Sequence, residues 1–599
     1  MAYTSRIVKP NSTAAALTRP TAWLIFDSLC AVGANSLLLW FFHDRFWYAP
    51  DEGNYAHVAQ RLLSGEVLNL QIQDIHPGYI NFANAAAFRL FGLDLLSLRY
   101  PLIFMAGVQA ILIFIMFYRS GRRSMAAVAA VAINALGVVN FLNPTSNWYS
   151  LFVVVLIACA LLWIPRESRI RILVVGFLVG MVVLFRQLSG VLVCMGVVTC
   201  LLLEAQSEHT PARSRNPIAA RILIAIMAIG LGWYLAKNTD VTGFVLFGFC
   251  PMLTLGWMFT RTTAANVKVV RIGAELAIGG VVAALPLVLY HFAHGSLQAW
   301  LNDTIVSALG LTKLPFMGLQ LYGKLTITGA TQLFRMRSLG ELLNAVYWIG
   351  LPLVAFVHGV VLLRFLIRNS TANPATYTLP VLTVFYAIVS VHFQIPVYLY
   401  YTVGFSMVGL LWLVSASKSP VQYAVISTAI LFSFVAVYYH AGQPLSGTFA
   451  DLFGGHRNIG QLNDVESSIP RASLKIDDEE RKQYAAILKV IESETTPADS
   501  IFALPTNAEL YFLSGRRNPF RFYNTALGIR TPEQLEEVKQ TIINSPPKIV
   551  IHHRADKYNT GYSQEIVRLV SERYDFLGET SGFAVYRSRQ SRSPEVSLR

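Results

Sequence analysis

Tyr48-Ala49-Pro50-Asp51-Glu52-Gly53-Asn54-Tyr55 stands between the first long apolar stretch of the chain and the second, and it opens a half-polar run that closes on Gln73-Asp74-Ile75-His76-Pro77-Gly78-Tyr79. Two adjacent carboxylates where an apolar span meets water are costly unless they are solvated, paired or used, because charge near hydrocarbon is expensive. Outward from this stretch the chain is apolar on a scale no soluble globular protein shows. Of its 599 residues 54% are hydrophobic and only 14% charged, and the mean hydropathy is +0.48. Apolar runs long enough to cross about 30 Å of hydrocarbon recur from Thr21 to Tyr439. Beyond them the composition turns ordinary and soluble.

The expected fold is therefore a polytopic α-helical membrane protein of about 13 spans, with residues 1–440 as the membrane domain and 441–599 as a soluble α/β domain. The first stretch, preceded by Arg6, Lys9 and Arg19, contains the small-residue pattern Val32-Gly33-Ala34 of a cleavage site. It continues through Leu37-Leu38-Leu39-Trp40-Phe41-Phe42 and reads as an uncleaved first span. Arg119, Arg122 and Arg123, Arg166, Arg169 and Arg171, Arg213 and Arg215, Arg261, Lys268 and Arg271, Arg364 and Arg368, and Lys418 fall in loops that positive-inside bias assigns to the cytoplasm. That leaves the loop around Asp51 (43–99), Asn143 to Tyr149, His294 to Gly340, His392 to Pro396 and the C-terminal domain on the opposite, periplasmic face of a bacterial inner membrane. From Ile172 to Leu203 the apolar run is interrupted only by Arg186-Gln187, so two short spans turning at the arginine are expected.

The first outward loop carries helical periodicity, with Tyr55, Val58, Ala59, Leu62 and Leu63 on one face and a second amphipathic stretch over Ile80 to Phe91. These are expected to be interfacial helices, Asp51 standing at the start of the first. There an acid can cap the helix or answer its dipole, a purely structural role. The C-terminal region alternates: strands at Asp499 to Leu504, Lys548 to His552 and Phe583 to Arg587, and helices at Asn507 to Leu513, Pro532 to Asn544 and Gln564 to Arg573. It holds no phosphate loop and no nucleophile elbow, so a docking or structural role is expected. Cys30, Cys159, Cys194, Cys200 and Cys250 all lie in apolar spans and offer neither a disulfide framework nor a zinc site. The net charge of +14 sits largely in cytoplasmic loops, and no nucleic-acid motif accompanies it; the expected surroundings are the lipid bilayer.

The run from Pro50-Asp51-Glu52-Gly53 through Tyr55, Leu62-Leu63-Ser64-Gly65-Glu66, His76-Pro77-Gly78-Tyr79 and Arg89-Leu90-Phe91-Gly92 resembles the first periplasmic loop of GT-C class glycosyltransferases, especially the lipid A aminoarabinose transferase and protein O-mannosyltransferase group. The resemblance extends more loosely to Arg186-Gln187-Leu188-Ser189-Gly190 and to Tyr511-Phe512-Leu513-Ser514-Gly515-Arg516. It implies transfer of a sugar from a polyprenyl-phosphate carrier to a lipid, lipid A, glycan or protein acceptor on the outer face, by inverting single displacement. It puts the catalytic acid on Asp51, with Glu52 beside it. His76 falls where the family often has a lysine thought to meet the donor phosphate, and Tyr79 follows it. Where the family commonly has a second acid, Asn143-Pro144-Thr145-Ser146-Asn147-Trp148-Tyr149 offers none.

The chemistry has its own demands. A phosphate leaving group needs little general acid, but its charge must meet cations or a metal, and a hydroxyl or amine acceptor needs a base. Outward cations are His76, Arg186, Lys313, Lys324, Arg335, Arg337 and His392; Tyr55, Asp74 and Asn147 are the substrate-binding candidates. Asp51, with Glu52, could also hold a divalent ion. A transporter or flippase of a lipid-linked glycan is the competing reading, and it calls for repeated halves and midplane charge, where this chain shows an acidic pair at an interface.

Overall fold

The computed structural model describes residues 21–207, 217–310, 321–368, 373–415, 420–441 and 469–591. Arg6, Lys9, Arg19, Arg213, Arg215, Lys313 and Lys418 lie outside them. In chain order the helices before the soluble domain are α1 (Thr21–Phe42), α2 (Ala49–Leu63), α3 (Tyr79–Phe91), α4 (Leu95–Arg119), α5 (Arg123–Asn140), α6 (Ser146–Trp163), α7 (Arg169–Phe185), α8 (Gln187–Ser207), α9 (Ile218–Asn238), α10 (Val241–Arg261), α11 (Asn266–Ala293), α12 (Leu297–Leu301), α13 (Leu321–Leu333), α14 (Leu339–Arg368), α15 (Ala375–Val391), α16 (Pro396–Val414) and α17 (Pro420–His440). Eleven of these among the described residues are long and apolar enough to cross a bilayer: α1, α4, α5, α6, α8, α9, α10, α11, α14, α16 and α17. The expectation was about 13; α7, at 17 residues, and α15 are shorter.

α7 and α8 form the hairpin expected at Arg186. Arg171, near the start of α7, donates to both carboxylate oxygens of Glu204, near the end of α8, at 2.7 and 2.8 Å. The two far ends are thus tied together while Arg186 and Gln187 occupy the bend. α7 also lies against α11 with almost no side chain between them, since a Cβ on Gly176 would overlap the backbone of Leu276 and one on Gly279 the backbone of Leu173 and Phe177. Small residues at such crossings let membrane helices approach closely. On the outer face of α9, Ile222, Ile226, Ile229 and Trp233 are exposed, as befits a surface whose solvent is lipid.

Two short helices, α2 and α3, fill the loop between α1 and α4. Arg99 of α4 holds that loop in place. All five of its N–H groups are used: Nε and one terminal nitrogen donate to Glu52 at 3.3 and 2.7 Å, and the rest to the carbonyls of His43 and Arg45, both at 3.0 Å, and of Phe46. Both charged partners are 1% exposed.

The soluble domain contains β1 (Ile501–Leu504), β2 (Ile549–His553), β3 (Tyr574–Thr580) and β4 (Phe583–Ser588) in the order β1-β2-β4-β3. β1 and β2 are parallel, and β4 pairs antiparallel with both β2 and β3. Its helices are α18 (Asp478–Glu494), α19 (Ala508–Ser514), α20 (Pro532–Asn544) and α21 (Gly561–Arg573). Alternation along the strands separates two cores. Phe502, Leu504, Val550 and Ala584 pack with Val538, Ile542, Ile566 and Val570. Ile501, Ala503, Ile549 and Ile551 join Trp47, Ala56, Val58 and Phe88 from the loop between α1 and α4. One face of the sheet thus shares its core with α2 and α3. Backbone bonds reinforce the join: Phe46 N–H donates to Lys475 C=O at 2.8 Å and Leu95 N–H to Arg471 C=O at 2.9 Å, and Asp94, which caps α4, also accepts from the Ser473 hydroxyl at 2.8 Å.

α19 crosses α2 at Gly53, where a Cβ would overlap the backbone and Cβ of Glu509. Beside that crossing His57 stacks on Tyr511 with ring centres 4.7 Å apart, and burial, with Arg61 nearby, keeps its imidazole well below the usual histidine range. Replacing Arg99 by Ala strands the Glu52 carboxylate in a buried site, and a loss of about 3–5 kcal/mol is expected, read as a lowered unfolding temperature of the purified protein in detergent. Gly53→Ala is expected to pry α19 from α2, seen as faster backbone hydrogen exchange in α19 with the membrane helices still intact.

Candidate active site

The N-cap of α2 is Tyr48, with no side-chain cap bond, and Pro50 occupies the first turn. Asp51 is therefore released from capping duty, and its carboxylate is aimed outward from the first turn. Glu52, one residue on, turns the other way into Arg99. The adjacent acids consequently have separate roles, and Glu52 is not among the side chains that line the cavity described next.

Asp51 borders a cavity of about 1080 Å³ at the end of the bundle that carries the soluble domain. Its surface faces that cavity. Burial pushes its carboxyl up to about 7, the Glu52 charge adding to the effect while His76 and Lys557 oppose it. Asn143, ahead of α6, donates to Asp51 at 3.4 Å. An amide from the segment ahead of α6 thus stands against the acid where the family resemblance would have placed another carboxylate.

His76 is presented by Asp74. The Asp74 Oδ1 accepts from both the ring Nδ1 and the backbone N–H of His76, at 2.8 and 3.0 Å, and Oδ2 accepts from Asn81 at 2.7 Å. Burial alone would raise the Asp74 carboxyl, but the imidazole and these donors hold it below the usual carboxylate range. A charged Asp74 fixes Nδ1 as the donor and leaves Nε2 free to act. Tyr55 packs on this ring at 5.6 Å.

Arg186 enters from the bend between α7 and α8, 8% exposed, and donates to the Tyr398 hydroxyl at 3.1 Å. His392 lies beside that tyrosine, with ring centres 5.9 Å apart. The neighbouring Gln187 spans the floor, its amide donating to the carbonyls of Ile75 and Thr304 at 2.9 and 2.8 Å. Asp51, Tyr55, Asp74, His76, Asn147, Arg186 and His392, which come from five separate segments of sequence, all line this one cavity.

Other candidates stand elsewhere. Tyr79 braces α3 by donating to the carbonyl of Ala283 in α11. Arg335 and Arg337 are exposed between α13 and α14, where Arg337 N–H bonds Glu341, and Lys324 is exposed on α13; none of these four lines the cavity. Among the described residues no three His, Cys, Asp or Glu side chains gather as a metal site, and Asp51 and Glu52 do not face a common ion.

Several lining residues carried no signal in the sequence. Lys237 at the end of α9 and Thr506, Tyr523, Lys557 and Tyr558 of the soluble domain all reach the cavity, so that domain is a wall of the site in addition to being docked on it. The remaining wall is apolar: Leu188, Val191, Leu192 and Met195 of α8 face Leu231 and Trp233 of α9. Val191, Trp233, Ile305 and Leu309 line the cavity and are also exposed at the outer surface, which marks a sideways, greasy mouth.

Fold and cavity together define a polytopic membrane protein with an acid and base constellation at one end of its helical bundle. No family model matches the chain, and no curated protein matches it. Among solved structures it is similar to ArnT from Cupriavidus metallidurans bound to undecaprenyl phosphate, at 14% identity over 95% of this chain and 98% of that one, with a TM-score of 0.39. The same protein in its apo state gives 14% identity over 94% and 98%, with a TM-score of 0.34.

Because the folded-state value of Asp51 is raised, the native protein holds this proton more tightly than the unfolded chain. Its contribution to stability is full below about 4 and is lost as pH rises through about 7. An infrared band from protonated carboxyls is expected to fade over that upper range in the wild type, and Asp51→Asn is expected to lose the Asp51 share of it while Glu509, also pushed up to about 7 by burial, keeps its own.

Proposed function

We propose that this protein is a membrane glycosyltransferase that takes a sugar from a polyprenyl-phosphate carrier and passes it to an envelope acceptor on the periplasmic face. The observation that carries the reading is the junction, within one cavity, of a carboxyl poised near neutrality, a buried guanidinium and an apolar arm with a sideways mouth.

Each part answers one requirement of the reaction. The isoprenoid tail lies along α8 and α9, reaching the cavity past Val191 and Trp233 without leaving the bilayer. A volume of about 1080 Å³ lies just above the range of ordinary ligand pockets, about 300–1,000 Å³, which suits a sugar phosphate with the first units of its tail. Arg186, oriented by Tyr398, meets the phosphate that leaves, and His76 Nε2 can donate a further hydrogen bond to it. Charge that develops on the phosphate in the transition state is then met by donors already in place.

Asp51 accepts the proton of the attacking hydroxyl or amine. A base with a value near 7 is well matched to that task, since it is substantially ionised at working pH and still basic enough to take the proton. Attack from the Asp51 side with departure toward Arg186 is a single displacement, and it inverts the anomeric centre. Glu52 has no part in the chemistry; it holds the turn from which Asp51 projects.

Asp51→Asn removes the base while keeping shape and the contact with Asn143. Sugar transfer from a radiolabelled polyprenyl-phosphate sugar in reconstituted membranes is expected to fall about 10²–10⁴-fold, with detergent-extracted yield and unfolding temperature close to wild type. Wild-type turnover should rise with pH through about 7 as the carboxylate forms. Turnover undiminished in the Asn variant would reject the assignment.

A further inference from the structure

A second cavity, of about 330 Å³, lies in the membrane domain between α1, α4 and α5, and the reaction described above makes no use of it. α4 starts at the soluble domain, where Leu95 N–H donates to Arg471 C=O. The cavity follows its later half, from Gly107 to Tyr118, and therefore runs toward the far end of the bundle. α1 has the opposite direction, and its lining residues extend from Ser36 back to Leu24.

A change in how α1 packs opens this space. In its second half Ala31, Asn35, Leu39 and Phe42 are buried on one face. That face continues toward the helix start through Ser28 and Leu24, which are only half-buried. Amides fix the inner wall. Asn35 Nδ2 donates to the Ala130 carbonyl of α5 at 3.1 Å, and Asn134 Nδ2 donates to Asn35 Oδ1 at 2.8 Å and to the Ala106 carbonyl of α4 at 3.0 Å. The three helices are tied together at the depth of Asn35, and the cavity is what remains where α1 leaves the other two.

Length, mouth and charge identify what fits. From Leu24 to Ser36 the helical rise carries the cavity about 18 Å along α1, against the roughly 15 Å depth of a single leaflet and the about 30 Å that a spanning helix would fill. Val32 and Ile111 line it and are also exposed at the outer surface, so the mouth opens to lipid. Tyr118 closes the end away from the soluble domain, and the Arg123 guanidinium lies over its ring, 4.6 Å from the centre. Arg123 stands two turns before Ala130, on the face of α5 that lines the cavity. Arg119, next to Tyr118, is exposed and brings a second positive charge to the same end.

We propose that this cavity is a phospholipid site, in which one acyl chain fills the groove between α1, α4 and α5 and an anionic headgroup meets Arg123 beside Tyr118. An apolar chain of single-leaflet length with a phosphate at one end matches both the extent of the groove and the position of its charge. Basic side chains at the bilayer boundary favour acidic headgroups over zwitterionic ones. The site stands at the other end of the helices from Asp51 and is independent of the transferase reading.

The test places the full chain in nanodiscs of phosphatidylcholine with a minor share of phosphatidylglycerol carrying the same acyl chains, and counts the lipids that stay bound by native mass spectrometry. The wild type is expected to retain phosphatidylglycerol about fivefold above its share of the bilayer, and Arg123→Gln to lose that enrichment with lipid still bound. A Cβ on Gly107 meets nothing within 4 Å, so Gly107→Leu fills the groove; it is expected to shed the retained lipid of both kinds with an unfolding temperature close to wild type. Equal retention by Gly107→Leu, or no enrichment of phosphatidylglycerol by the wild type, overturns the inference. So does a wild-type dimer that Gly107→Leu turns into a monomer, which would give the groove to a second copy of the chain.

Discussion

A single buried guanidinium orders the business end of this molecule. Arg99 has five donors and five acceptors for them, and what it grips is the turn between α1 and α2 together with Glu52. An unmatched charge at that depth would be severely destabilising, so the loop has little freedom to take another course. Everything else at the site inherits its position from this knot: Asp51 projects from the turn it holds, Tyr48 reaches the soluble domain from the same turn, and Gly53 offers α19 its crossing point. The Asp-Glu-Gly triplet is thus three devices in succession, a reactive group, an anchor and a gap.

Around the knot the cavity is assembled from pieces distant in sequence. The loop between α1 and α4 supplies Asp51 and the Asp74–His76 pair, the α7–α8 bend supplies Arg186, and the start of α6 and the residues ahead of it supply the amides. Gln187 ties two of the rims together, and Arg521 of the soluble domain meets Asp303 at 3.1 Å to tie a third. Burial pushes the Asp303 carboxyl up to about 6, against the pull of Arg521 and Asn69, so this clasp is strongest above that pH, where the carboxylate is ionised. The α7–α8 hairpin is pinned at its other end by Arg171 and Glu204, and the bend that carries Arg186 is correspondingly fixed.

Much of this was legible in the chain because bilayers impose coarse rules. Long apolar runs gave the spans, the Arg186-Gln187 interruption gave the hairpin, and periodicity gave α2 and α3. What escaped depends on pairing across sequence. Glu52 reads like Asp51 until Arg99, 47 residues away, is found against it, and Arg335 and Arg337 look as available as Arg186 until depth separates them. α18 opens with Asp478-Glu479-Glu480-Arg481-Lys482 and reads as solvated chain, yet Tyr484, Ile487, Leu488 and Ile491 recur at helical spacing and bury. β3 is an edge strand whose exposed Phe576 and Leu577 blur the alternation. Lys557 and Tyr558 lie in a loop without periodicity, where nothing local announces a role.

The chamber takes one wall from Asp51 and another from Lys557 and Tyr558, and this has a bearing on biogenesis. The ribosome releases the first of these walls before the bilayer helices α4 to α17 and the second after them. A nascent or prematurely terminated chain can hold Asp51 in place and still possess a room with one side missing. Competence is thereby reserved for molecules whose translation has passed Tyr558.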